Sequence, residues 1–125
     1  LRLGGGLVLT VVLTASGMLH GVSTLAAATA LPGALAVATI EELLFRGVLY
    51  TLWQRHTRTG GAIVLTSVAF ALSHAFLYPP PMILLGLLVG LLLASWRALA
   101  NDLVAPMLAH AVADAVAVGT LAGMP

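Results

Sequence analysis

The chain has 125 residues, of which 61% are hydrophobic and 7% charged, and its mean hydropathy is +1.12. A soluble domain carries roughly 25% charged residues, so there is too little polar surface here to cover a globule, and a polytopic membrane protein is the expected class. A net charge of +1 leaves no basic face for nucleic acid, the absence of cysteine excludes disulfides, cysteine-ligated zinc and thiol catalysis, and the absence of lysine excludes Schiff-base chemistry and Ser–Lys dyads.

In chain order, five apolar segments are predicted as helices. Segment A runs from about Gly5 to Ala27, and Pro32-Gly33 then punctuates the chain. Segment B runs from about Pro32 to His56 and carries the cluster Glu41-Glu42-Leu43-Leu44-Phe45-Arg46. Thr57-Arg58-Thr59-Gly60-Gly61 is a turn, and segment C follows from about Ala62 to Leu77. Pro79-Pro80-Pro81 reads as a hard break, because proline lacks an N–H and disfavours helix in the residue before it. Segment D runs from about Met82 to Leu99, Asn101-Asp102 is a loop with Asp102 a candidate N-cap, and segment E runs from about Leu103 to Leu121. Backbone groups in lipid must be satisfied internally, so an all-α transmembrane bundle of about five helices is expected. The runs are continuous rather than alternating, which argues against a β-barrel. The chain begins with Leu1 and turns hydrophobic at once, so a segment of a longer protein is expected, with residues 1–125 forming one membrane-embedded core. No small-residue cleavage site followed by a soluble domain marks a signal peptide.

The arginines orient this layout. Arg2 precedes segment A, Arg55 and Arg58 lie between B and C, and Arg97 lies between D and E. With alternate crossings these all fall on one side, which places the B–C and D–E loops in the cytoplasm. Trp53 and Trp96 sit beside those arginines as interface anchors, and Tyr78 marks the other interface.

Few ionisable groups remain within the membrane: Glu41, Glu42 and Arg46 on B, His74 on C, and His110 and Asp114 on E. Counted from the cytoplasmic ends, Glu41 and His74 lie about 20 Å deep, Asp114 roughly 18 Å, and His110 and Arg46 about 12–14 Å. Three segments thus bring polar groups to one slab. Charged groups inside a bilayer are costly and mark functional paths or pairs. Residues four apart share a helical face while neighbours diverge by about 100°. Glu42 and Arg46 therefore read as an ion pair along segment B, leaving Glu41 to face elsewhere or to join the same network. Phe70 and His74 share a face, as do His110 and Asp114. Gly86 and Gly90 form a G-x-x-x-G, which lets another helix approach closely. His20 and His56 read as structural or interfacial, Phe70 as packing, and neither Ser73 nor Thr66 has a base placed on it.

These motifs, in this order, resemble the CPBP family of intramembrane proteases, the CAAX proteases and bacteriocin-processing enzymes also called Abi proteins. The family pattern is E-E-x-x-x-R, then F-x-x-x-H, then H-x-x-x-N or a related residue. Here they read Glu41-Glu42-Leu43-Leu44-Phe45-Arg46, Phe70-Ala71-Leu72-Ser73-His74 and His110-Ala111-Val112-Ala113-Asp114, within a motif region of residues 33–117. The resemblance implies hydrolysis of a peptide bond within or near the membrane, prenylated CAAX proteins being the substrates of its eukaryotic members. Carried over, Glu41 is the general base, His74 its partner in activating water, and His110 and Asp114 stabilise the tetrahedral intermediate. Glu42, Arg46 and Phe70 support the site. An ionised aspartate cannot donate a hydrogen bond to an oxyanion as asparagine does, so Asp114 is either protonated, orients His110, or belongs to a metal site. No cofactor is firmly expected. A zinc-dependent version of the same protease would use Glu41, His74, His110 and Asp114 as ligands. The expected partners are a membrane-associated protein or peptide substrate and the lipid bilayer, with no nucleic acid. Arginine without lysine and abundant Ala, Leu and Gly point to a bacterial cytoplasmic membrane. Two other classes remain: a proton-coupled transporter, because buried acids and histidines also mark such paths, and a non-catalytic immunity or scaffold protein.

Overall fold

The computed structural model describes residues 23–123, and within them the chain is helix and turn. Predicted segment A, except for its last residues, falls outside that range, as do Arg2 and His20. The elements are α1 (Thr24–Glu42), a π-helical segment (Leu43–Leu49), α2 (Tyr50–Gln54), α3 (Thr59–Ser73), α4 (Pro80–Ala100) and α5 (Val104–Gly123). The all-α class is as expected. Three stretches are long and apolar enough to cross a membrane: Thr24–Gln54, Ile83–Ala100 and Val104–Gly123. Their outward faces carry bare hydrocarbon, including Leu35, Val48, Leu84, Leu88 and Leu121, as a lipid-facing surface requires.

Three boundaries differ from the sequence expectation. Pro32 lies inside α1, which starts at Thr24, so Pro32-Gly33 does not divide two helices. A proline removes one hydrogen bond, whereas ending the helix there would strand several backbone groups in lipid, so continuation is the cheaper outcome. Pro80 opens α4, because the first helical turn has N–H groups without intrahelical acceptors and a proline fits there. Finally, α3 ends at Ser73 rather than Leu77, so His74 is its C-terminal cap and not a residue of the helix.

Each of two compact units is best taken alone. The first holds residues 23–40 and 104–123 of those described. In it the Ser23 N–H donates to the Gly119 carbonyl at 3.0 Å, tying the start of α1 to the end of α5. Most buried residues of α5 are small: Ala105, Ala109, Ala115 and Gly119 share one face, and His110 is buried next to Ala109 in the chain.

The second unit, Glu41–Leu103, holds the π segment and α2 to α4. Its core is the packing of α3 on α4. At the centre of that contact Gly90 meets Ser67: a Cβ on Gly90 would lie 3.1 Å from the Ser67 Cα and 3.3 Å from its carbonyl oxygen. At Gly86 the corresponding approach to Ala71 Cα is an ordinary 3.7 Å, so only the second glycine of the G-x-x-x-G is sterically required. Asn101 ends α4 in the left-handed conformation (φ 50°), its N–H bonded to the Arg97 carbonyl and its side-chain oxygen accepting from Arg97 Nη1 at 2.7 Å.

Candidate active site

The π segment starts right after the paired acids. Its wider turns bond the Tyr50 N–H to the Phe45 carbonyl, five residues back, and such turns gather at functional sites. Within it, Arg46 Nη1 donates to Glu42 Oε1 at 2.7 Å, and both side chains are fully buried. Arg46 Nη2 reaches the Gly90 carbonyl at 3.4 Å, and the guanidinium lies 4.4 Å from the Phe70 ring centroid. Phe70 in turn takes an edge-on contact from Phe45 at 5.3 Å. Arg46 thus holds the π segment against both α3 and α4. A planar guanidinium does this well because it can hydrogen-bond in its plane while stacking on its face.

Glu41 takes another direction. Its Oε1 lies 3.7 Å from His74 Nε2, and the two side chains are 23% and 22% exposed. The one-residue offset between the acids turns one carboxylate into a sealed pair and the other toward a partly exposed histidine.

The end of α3 explains how His74 is held. From Thr59 to Ser73 the helix has 15 residues. At about 1.5 Å per residue that is about 22 Å, short of the roughly 30 Å hydrocarbon core. Its last carbonyls therefore need partners at membrane depth, where irregular backbone is tolerated only when protein or water covers it. The His74 N–H turns back to the Ala71 carbonyl at 3.2 Å. Side chains gather on the Phe70 carbonyl: Ser73 Oγ donates to it at 2.7 Å, and His74 Nδ1 lies 2.8 Å away. A carbonyl only accepts, so Nδ1 carries a proton, and the Nε2 of the neutral ring is left with a lone pair toward Glu41. The Phe70 ring contacts the imidazole at 4.6 Å, and Tyr78 stacks on it at 5.8 Å and 23°. The His74 carbonyl accepts from the N–H groups of Leu77 and Tyr78, closing the turn that carries Tyr78 back.

In the first unit, His110 Nε2 lies 3.7 Å from Asp114 Oδ2, one helical turn along α5. The imidazole is 5% exposed and the carboxylate 42%. Thus the site residues read from the sequence form three pairs: Glu42 with Arg46 and Glu41 with His74 in the second unit, and His110 with Asp114 in the first. Among the described residues no three His, Asp or Glu side chains gather as a metal site.

A family model described as type II CAAX prenyl endopeptidase Rce1-like matches residues 23–116, most of the chain. The chain belongs to the Rce1-like family. Comparison with the curated proteins and with the solved structures gives no match. Membership of the Rce1-like family, together with the apolar helices, makes this an integral membrane protein of a protease family. The match begins at Ser23, where the described structure also begins, and takes in all three motifs.

Two neighbours of His74 went unread in the sequence. Ser73 appeared only as a nucleophile lacking a base, and Tyr78 only as an interface marker. Both contacts depend on α3 stopping at Ser73, and no breaker precedes Pro79 to signal that stop.

Proposed function

We propose that the protein is an intramembrane endopeptidase in which Glu41 and His74 activate water against a peptide bond of a membrane-associated protein or peptide. The carrying observation is the approach of Glu41 Oε1 to His74 Nε2, with Nδ1 engaged by the Phe70 carbonyl. Two acceptors 3.7 Å apart suit a water molecule that donates one O–H to each. As its oxygen attacks the scissile carbonyl carbon, Glu41 takes the proton and the C–O bond forms. The family resemblance assigns stabilisation of the oxyanion to His110, with Asp114 orienting it. Glu41 then returns the proton to the leaving amine as the C–N bond breaks. Oxyanion donors act best where water is scarce, and His110 is buried. The connections bearing Arg55, Arg58 and Arg97 face the cytoplasm of a bacterial cell under this reading.

The test is cleavage of a membrane-tethered peptide by the purified protein in detergent. Removing a general base lowers the rate by about 10²–10⁴-fold, and Glu41→Gln and His74→Ala are each expected to fall in that range. Activity unchanged in both variants would sink the proposal. Loss of cleavage on chelation, restored by zinc, would replace it with the zinc-dependent version. Flux driven by a pH gradient without cleavage would point to a transporter, and partner binding without either would point to a scaffold.

A further inference from the structure

Ser73 belongs to none of the three motif pairs, yet it sits against the atom that decides what His74 can do. Its Oγ donates to the Phe70 carbonyl at 2.7 Å and lies 3.2 Å from His74 Nδ1. Nδ1 is itself 2.8 Å from that carbonyl. For a neutral ring these three distances admit one consistent assignment of protons. With the serine hydrogen on the carbonyl, both groups facing Nδ1 are acceptors, so Nδ1 must donate. If the serine donated to a bare Nδ1 instead, the nitrogen lone pair would confront the carbonyl oxygen at 2.8 Å.

We infer that Ser73 is a positioning residue that holds His74 in its Nδ1–H tautomer and so keeps the Nε2 lone pair aimed at Glu41. A neutral histidine side chain in water favours the opposite tautomer, with the proton on Nε2. That form would place an N–H between His74 and Glu41, where the proposed mechanism needs an acceptor for water. The Phe70 carbonyl opposes it from one direction. The Ser73 hydroxyl opposes it from a second and occupies the place from which water could donate to Nδ1. The end of α3 at Ser73 supplies the arrangement, because it brings Ser73 and His74 to the same carbonyl.

The inference rests on the Glu41–His74 reading for its catalytic consequence, but not for its structural content, so the two can fail separately. The structural content is read by ¹⁵N NMR of histidine-labelled protein in detergent, at a pH where His74 is neutral, with His74→Gln assigning the signal. The unsubstituted protein should show a protonated Nδ1 and an unprotonated Nε2. In Ser73→Ala the Nε2–H form should appear, kcat for the tethered peptide should fall about three- to tenfold, as expected for one hydrogen bond, and KM should stay unchanged. Ser73→Thr, which keeps the hydroxyl, should restore both. An unchanged tautomer in Ser73→Ala, or a fall in kcat that Ser73→Thr does not rescue, overturns the inference. A shifted tautomer combined with full activity of Glu41→Gln would leave Ser73 as the tautomer-setting residue and reject the catalytic reading instead.

Discussion

Glu41 and Glu42 are the same residue type, adjacent in the chain, and they live in different chemistry. Glu42 meets Arg46 at 2.7 Å with no exposure on either side chain, while Glu41 meets His74 at 3.7 Å with about a quarter of its side chain open. The first pair is closed: its geometry is short, charge-assisted and sealed by Phe70 and the Gly90 carbonyl. The second is open, and its spacing suits a third group. A buried ion pair gains little over an apolar one, but losing half of it is expensive. A carboxylate at a reachable histidine has the opposite profile, cheap to alter for stability and costly for chemistry. The His110–Asp114 pair, at the same 3.7 Å as Glu41–His74, resembles the open kind.

That contrast can be broken by experiment, beginning with the two acids themselves. Glu41→Gln should cost about 10²–10⁴-fold in peptide cleavage while its unfolding free energy stays within about 0.5 kcal/mol of the parent. If it instead unfolds like a core variant, the division between the acids fails. For the second open pair, His110→Ala should lower kcat about 10²–10³-fold, the loss typical of one oxyanion donor. Asp114→Asn should keep far more activity, because an amide can still orient the imidazole. Equal losses would place the essential group on Asp114. The closed pair should answer in stability. Arg46→Ala, which breaks the buried ion pair with Glu42, is expected to destabilise by about 3–5 kcal/mol in reversible detergent unfolding. No change in the unfolding midpoint would show that the pair is not structural. The smallest effect sharpens the scaffold behind it. Gly90→Ala should cost about 1–3 kcal/mol as overpacking against the Ser67 backbone, and Gly86→Ala should lie within about 0.5 kcal/mol of the parent.

Some of this was legible in the chain alone. Composition required helices in a membrane because so few residues can face water. The i, i+4 spacing of Glu42 and Arg46 announced their pair, because helical geometry is local. Counting at a fixed rise from the interfacial arginines put Glu41 and His74 at one depth, because a helix converts residue number into distance. The boundary errors are as instructive. Pro32-Gly33 looked like a stop and is not one, because in lipid the lost hydrogen bonds of a break outweigh one missing N–H. Ala75-Phe76-Leu77 looked like more helix and is turn, because the contacts of His74 and Tyr78 replace helical bonds there.

The paired acids, the two motif histidines and the spacing between them were determined by the sequence, since they follow from residue identity and helical period. Tertiary packing decided the rest. It made the π turns after Glu42, chose Gly90 over Gly86 as the point of closest approach, and ended α3 at Ser73 so that the Phe70 carbonyl could hold His74. Those outcomes depend on which backbone and side-chain groups meet across helices, and a one-dimensional pattern does not carry that information.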